Sequence, residues 1–177
     1  VRRALALPRP GRDAQIKMSP RPRVGDVFPV PPDLPRKNAG VLILLYPRGD
    51  ALHFLLTERT QTVETHKGQI SFPGGAQEKG ESLRETALRE TCEELNLDRA
   101  AIEILSEPLS PLYIPVSGFL VTPFVGYTAT RPRVRAAPAE VVGILEPPLD
   151  WILDDAHFAE EYWEMARYSA IVPYFMI

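Results

Sequence analysis

Residues 75–97 read Gly75-Ala76-Gln77-Glu78-Lys79-Gly80-Glu81-Ser82-Leu83-Arg84-Glu85-Thr86-Ala87-Leu88-Arg89-Glu90-Thr91-Cys92-Glu93-Glu94-Leu95-Asn96-Leu97. Their spacing predicts a helix that carries Glu90, Glu93 and Glu94 within an arc of about 100°. Like charges four residues apart, such as Glu90 and Glu94, cost a helix roughly 0.2–0.5 kcal/mol. A hard divalent cation with oxygen ligands offsets that repulsion, and Mg²⁺ in turn suggests phosphate oxygens on a substrate.

A charge run is more often a solvated face than a site, so the helix ends matter. Ser82 with Glu85 forms a Ser-x-x-Glu capping box, which starts the helix near Leu83. Leu83, Ala87, Leu88, Thr91, Cys92 and Leu95 share one half of the wheel and predict a buried face. Asn96 suits the left-handed position that ends a helix, with Leu97 as the apolar contact beyond it. Glu85 and Arg89 stand in the favourable i, i+4 order, which is expected to hold an arginine beside the acidic stripe. The acidic face then points back towards the glycine loop at Gly74 and Gly75.

These 23 positions resemble the Nudix box. Gly75, Glu81, Arg89, Glu90, Thr91, Glu93, Glu94, Asn96 and Leu97 fall on its defining positions. Thr91 replaces the usual aliphatic and Asn96 the usual glycine, while every charged position is kept. The resemblance implies an α+β fold, the Nudix α/β/α sandwich around a mixed β-sheet. It also implies Mg²⁺ or Mn²⁺ held by Glu90 and Glu94, with Glu93 beside them as ligand or base. Gly74 would add a backbone carbonyl and Glu81 a ligand through water. Arg89 would orient a carboxylate through a bidentate pair. Glu140, ahead of a predicted strand, is a second candidate base, since the family often takes a carboxylate from outside the box.

Upstream, Leu55-Leu56-Thr57-Glu58-Arg59-Thr60 and His66-Lys67-Gly68-Gln69-Ile70-Ser71-Phe72-Pro73-Gly74-Gly75 resemble the signature of the coenzyme A pyrophosphatase branch of that family. Residues 117–126 are similar to the same branch. Arg59, Lys67 and His66 are then candidates for binding substrate phosphate. Thr60 is a mild departure from the signature, whereas Glu64 stands where the branch has a second arginine and reverses the charge. The activity implied is hydrolysis of the pyrophosphate bond of coenzyme A or its derivatives to 3′,5′-ADP and 4′-phosphopantetheine. Glu64 keeps open another nucleoside-diphosphate substrate, such as NADH or ADP-ribose. A non-catalytic, nucleotide-binding regulator would be expected to lose box carboxylates, and this chain has kept them.

The whole chain fits one enzyme domain. With 177 residues, 45% of them hydrophobic, it can bury one substantial core. A net charge of −3 argues against a general nucleic-acid binder. Its single cysteine, Cys92, excludes an intramolecular disulfide and a multi-cysteine zinc site, and its place on the apolar helix face predicts packing. No apolar run is long enough to span a membrane. The absence of a secretory leader pattern makes a reducing, cytoplasmic compartment the expectation. The partner expected is a small molecule, with neither nucleic acid nor membrane.

Residues 1–38 hold eight of the nineteen prolines and nine lysines and arginines, which predicts a loosely held, extended basic arm. Some of its arginines could reach a substrate phosphate. The Nudix domain is expected over 39–177. Strands are predicted at 40–46, 52–57, 69–72, 101–105, 119–128 and 141–145, and a short helix at 148–153. Pro123 inside a strand suggests an edge or a bulge. His53 reads as a strand residue, and Tyr113 as a packing residue that could stack on adenine. The chain's apolar last six residues lack a cover, and the resemblance implies a further helix beyond them.

Overall fold

The computed structural model describes residues 1–21, 36–60, 69–115, 117–164 and 169–176. In chain order these hold the short helices α1 (Arg2–Leu5) and α2 (Arg12–Lys17) and strands β1 (Lys37–Arg48), β2 (Ala51–Phe54), β3 (Leu56–Arg59), β4 (Ile70–Ser71) and β5 (Gly74–Ala76). Helix α3 (Leu83–Leu95) follows, then β6 (Glu103–Ile104), β7 (Leu112–Ile114), β8 (Phe119–Tyr127), β9 (Val141–Leu145), β10 (Phe158–Glu164) and β11 (Ser169–Phe175).

The architecture is the expected α+β, built on a mixed sheet. Strand β1 pairs in parallel with β8 and antiparallel with β2 and β5, and β8 pairs antiparallel with β6 and β7. A second sheet runs β4-β3-β9, and β10 and β11 form a separate hairpin. Alternate residues of β1 are buried on opposite faces, which is why its sequence is a continuous apolar run. Leu42, Leu44 and Tyr46 pack with Ala87, Leu88 and Leu95 of α3, while Leu45 packs with Phe54, Leu56 and Val125 on the other side. Fully burying one such leucine contributes about 1.5–3 kcal/mol. Gly40 lets helix and strand meet this closely, because a Cβ there would collide with the Leu83 carbonyl.

Helix α3 has the ends its sequence specified. Both halves of the Ser82–Glu85 capping box form, and Asn96 is left-handed at φ 51°, ψ 52°. The buried face differs from the expected one at four positions: Thr86 and Glu94 are buried, while Leu83 and Cys92 are only partly so.

Other expectations shift. The strand at 52–57 is broken at Leu55 into β2 and β3. Pro123 is not at an edge, since β8 lies inside the sheet. Its carbonyl accepts the Leu109 N–H in the gap between the β6 and β7 pairings, on the side where no ladder donor is required of it. The helix at 148–153 is a 3₁₀ turn over Leu149–Leu153.

Residues 1–21 are not extended. Gln15 donates to the carbonyls of Ser110 and Pro111 at 3.1 Å each, Leu5 joins the second apolar cluster, and Arg21 bridges to Ile171 of β11. Of the arm's cations, Arg2 is engaged by Glu103, Arg9 by the Leu5 and Glu107 carbonyls, and Arg21 by Glu160. Among the described residues no helix is long and apolar enough to cross a membrane.

Candidate active site

Three pieces of backbone converge on the acidic side of α3. The loop strand β5 pairs with β1 and lays Gly75 under Glu90, so closely that a Cβ on Gly75 would overlap the Glu90 carboxylate. Strand β3 ends in a register shift between Glu58 and Arg59, where β9 carries the extra residue Val142 as a bulge opposite Arg59. The segment after β8 is tied to the helix by Arg135 N–H to the Leu95 carbonyl and Ala137 N–H to the Glu94 carbonyl, each at 2.9 Å. The Glu140 carbonyl then accepts the Thr60 N–H, which fixes Glu140 next to the site.

The three helix carboxylates have three different environments. The Glu93 side chain is 61% exposed, that of Glu90 is 18% exposed, and Glu94 is 3% exposed. Burial raises the Glu90 carboxyl, with Arg89 opposing. Burial pushes Glu94 up to about 7, again with a guanidinium, here Arg59, opposing and the Glu90 charge adding to the rise. Glu140 raises both, so its charge is felt at the centre of the site.

Arg89 is the hub of the exposed half. It donates twice to Glu81, at 2.9 and 3.1 Å, and its Nη1 reaches Glu90 at 3.0 Å and Glu93 at 3.1 Å. The expected Glu85–Arg89 pair is corrected: the Glu85 carboxylate is spent on the Ser82 N–H and hydroxyl, at 2.8 and 2.7 Å. Glu81 takes its place. It also accepts from the Glu78 N–H and the Thr86 hydroxyl, at 2.8 Å each, and its carboxyl is held down to about 2, chiefly by Arg89. Glu81 is thus first a holder of Arg89.

Among the described residues no three acidic, histidine or cysteine side chains close into a ready-made metal cage. Guanidinium groups hold the carboxylates instead, Arg89 between Glu81, Glu90 and Glu93, and Arg59 facing Glu94 at 3.8 Å. The donor set nevertheless fits a hard divalent cation. The buried Glu94 Oε2 has no hydrogen-bond partner, and Glu90 and Glu140 add negative charge around it.

Beside these groups lies a cavity of about 480 Å³, lined by Arg59, Gly74, Gly75 and the largely apolar Ala39, Val41, Phe72, Ile114, Phe119 and Val121. Sequence reading missed this apolar wall, because it exists only once β8 lies parallel to β1. From β7 it is Ile114, not Tyr113, that faces the cavity lining. His53 lies on β2 with Nδ1 2.7 Å from the Glu146 carbonyl, away from these residues in a network with Tyr46. His66, Lys67 and Glu64 lie outside the described residues.

The sequence model of the Nudix domain matches residues 35–163. The chain belongs to the Nudix family. It is 44% identical over 114 residues to an uncharacterized Nudix hydrolase, NudL, of Photorhabdus laumondii, covering 64% of this chain and 59% of that protein. It is 32% identical over 145 residues to the chloroplastic Nudix hydrolase 22 of Arabidopsis thaliana, covering 78% and 47%. The chain thus spans about half to three-fifths of the length of these curated relatives. Among solved structures, the Nudix domain of Shewanella oneidensis NrtR complexed with ADP ribose superposes with a TM-score of 0.54 at 19% identity, covering 67% of this chain and 77% of that one. A binary complex of a Caenorhabditis elegans Ap4A hydrolase gives 0.53 at 19%, covering 61% and 77%. At those identities the likeness is one of fold. Nudix enzymes generally use divalent metal ions, in keeping with the carboxylates described here.

Proposed function

We propose that this Nudix chain is a Mg²⁺- or Mn²⁺-dependent pyrophosphohydrolase that cleaves coenzyme A or a derivative to 3′,5′-ADP and 4′-phosphopantetheine. The observation that carries the reading is the buried Glu94 beside Glu90, with Arg59 between them and an apolar cavity. A diphosphate at Arg59 would place one substituent in that cavity. Its walls offer few polar groups, chiefly Gln69, Ser71 and Ser117, which suits a pantetheine arm of methyls and amides better than a second charged nucleotide.

Glu90 and Glu94 would hold the cation, with the Gly74 carbonyl and, through water, Glu81 completing its surroundings. When bound, the cation lowers the pKa of water and neutralises charge on the phosphoryl oxygens. The chain's own residues do the rest. Arg59 balances the diphosphate charge, and Lys67 and His66 of the signature would donate further hydrogen bonds to phosphate oxygens. Arg89, braced by Glu81, holds Glu90 and Glu93 in place. In the reaction a water oxygen bonds to one phosphorus, the bridging P–O bond breaks, and the water proton passes to a carboxylate. Glu93 is tied to Arg89, whereas Glu140 has no ion pair among the described residues, which favours Glu140 as the acceptor. A cytoplasmic setting fits such a small-molecule substrate.

Product analysis tests this directly. Incubation with Mg²⁺ and coenzyme A is expected to give 3′,5′-ADP and 4′-phosphopantetheine, and Glu90→Gln to abolish them. Intact coenzyme A beside cleaved ADP-ribose or NADH would move the substrate to another nucleoside diphosphate, as the Glu64 reversal allows. Retained turnover in Glu140→Gln with loss in Glu93→Gln would transfer the base to Glu93.

A further inference from the structure

Among the described residues two buried side-chain atoms have no hydrogen-bond partner, and both belong to one ion pair: Arg59 Nε and Glu94 Oε2. The Nη1 to Oε1 separation is 3.8 Å, close enough for charge attraction and too long for a hydrogen bond. Buried polar groups are nearly always satisfied, because an unmade bond leaves the desolvation cost uncompensated. Arg89 is the contrast, since its Nε, Nη1 and Nη2 all donate to carboxylates. The Arg59–Glu94 pair is matched in charge and unmatched in geometry.

Each member lacks what a different partner would supply. Glu94 Oε2 lacks a cation, and Arg59 Nε lacks an acceptor that matches the planar guanidinium fork, such as two oxygens of a phosphate. Arg59 also lines the cavity beside Gly74 and Gly75, and its side chain is 27% exposed. At the end of β3, opposite the β9 bulge, it therefore has two faces, one on Glu94 and one on the cavity.

We propose that Arg59 and Glu94 form an exchange contact. A divalent cation arriving at Glu94 displaces the Arg59 guanidinium, which turns into the adjoining cavity and takes up a phosphate group. The inference rests on the reading of Glu90 and Glu94 as a cation site. It adds that cation and phosphate binding are coupled through Arg59. Without metal, the guanidinium shields Glu94 from its neighbours Glu90 and Glu140. With metal, that shielding is redundant and the same charge becomes available to the ligand.

The test uses the full chain, stripped of metal, as wild type, Arg59→Gln and Arg59→Lys. Mn²⁺ binding is measured by calorimetry with and without inorganic phosphate, and melting with and without Mn²⁺. Arg59→Gln is expected to melt lower than wild type without metal and to recover with saturating Mn²⁺. It should also bind Mn²⁺ alone at least about fivefold more tightly, the low end of ordinary couplings, and lose the gain that phosphate gives wild type. Should Arg59→Gln fail to fold, Arg59→Lys carries the test. It keeps the charge on Glu94, so its Mn²⁺ affinity alone stays near wild type, while the gain from phosphate shrinks with the lost fork. A melting deficit of equal size with and without Mn²⁺, or an unchanged phosphate gain in both variants, makes Arg59 a static brace and overturns the exchange. Wild type taking up no Mn²⁺ even with phosphate would remove the cation site itself, and the exchange with it.

Discussion

The two guanidinium groups of the site sit on the same set of carboxylates and are held in opposite ways. Arg89 lies in the outer half, hydrogen-bonded to Glu81, Glu90 and Glu93 and braced further by the Thr86 and Glu78 contacts of Glu81. Arg59 lies in the inner half, its Nη1 3.8 Å from Oε1 of a nearly buried Glu94, and each partner keeps one unpartnered atom, Nε and Oε2. A fully satisfied cluster is framework: it sets positions and has no reason to change on binding. An unsatisfied buried pair stores the cost of missing partners, and a ligand that supplies them binds more tightly for it. On this molecule the satisfied cluster reaches out to the exposed Glu93, and the unsatisfied pair encloses the buried Glu94.

The sharpest way to break that division is Glu94→Gln. The amide keeps the shape and removes the charge, so Mg²⁺-dependent turnover should fall by about 10²–10³, the scale for removing one electrostatic anchor of a transition state. If Glu94 were structural, turnover would survive and the metal-free protein would lose stability. We expect the reverse for stability at pH 8, because the amide needs no counter-charge in a buried place.

That asymmetry also marks what the sequence made legible. The capping box, the left-handed Asn96 and the arginine beside the acidic stripe are local features with spacings of a few residues, and each is present. The burial of Glu94 is not local. It goes with two long-range features, residues 135–137 tied to the C-terminal end of α3 and β9 bulging at Val142 opposite the end of β3, and no spacing within residues 75–97 encodes either. The Glu85–Arg89 pair misled for a related reason: the i, i+4 rule knows only the helix, whereas Glu81, in the turn before it, outcompetes Glu85 through two bonds. The apolar cavity depends on which strand lies parallel to which. Over residues 1–21 the expected extended arm is replaced by folded contacts with Ser110, Pro111 and Ile171, partners no local composition names, while residues 22–35 of that expectation lie outside the described residues.

The pH dependence of stability sharpens the comparison in a second way. Glu94 is pushed up to about 7 in the folded chain, from an ordinary value of 4.5, mainly by burial. Between those values the folded state binds more protons than the unfolded one, so metal-free stability falls as pH rises from about 4.5 through 7, by at most about 1.4 kcal/mol per unit. Mg²⁺ favours the ionised form, so its stabilising shift in melting temperature should be larger at pH 8 than at pH 6. A shift that is equal at both, measured by scanning calorimetry, would place the cation away from Glu94. Glu81 predicts the opposite slope and a different window: its carboxyl is held down to about 2 by Arg89, so its contribution is present above about 4.5 and lost only in acid.

Arg89→Lys tests the outer half. A lysine keeps one charge and loses the fork that grips Glu81 while reaching Glu90 and Glu93. Turnover should drop about 10–100-fold, the range for groups that orient a metal's ligands, with the fall in kcat and little change in KM for substrate. An unchanged kcat would show that Glu90 and Glu93 keep their places without the fork, and the outer cluster would lose its standing as framework.

Ser82→Ala should have the smallest effect and probes the same framework from its edge. The Ser82 hydroxyl accepts the Glu85 N–H at 3.3 Å and donates to the Glu85 carboxylate, so its loss removes the cap and costs about 0.5–2 kcal/mol of stability. It also loosens Glu85, which then stands one turn from Arg89 in the favourable order for a helix ion pair. Glu81 keeps its two bonds to Arg89 together with those from Thr86 and Glu78, so a freed Glu85 has little to win. Urea denaturation should therefore register the lost cap, while kcat moves by less than about threefold, within the reach of one weak surface pair. A larger fall in kcat would mean that Glu85 had captured Arg89, and that the outer half is held less firmly than its hydrogen bonds imply.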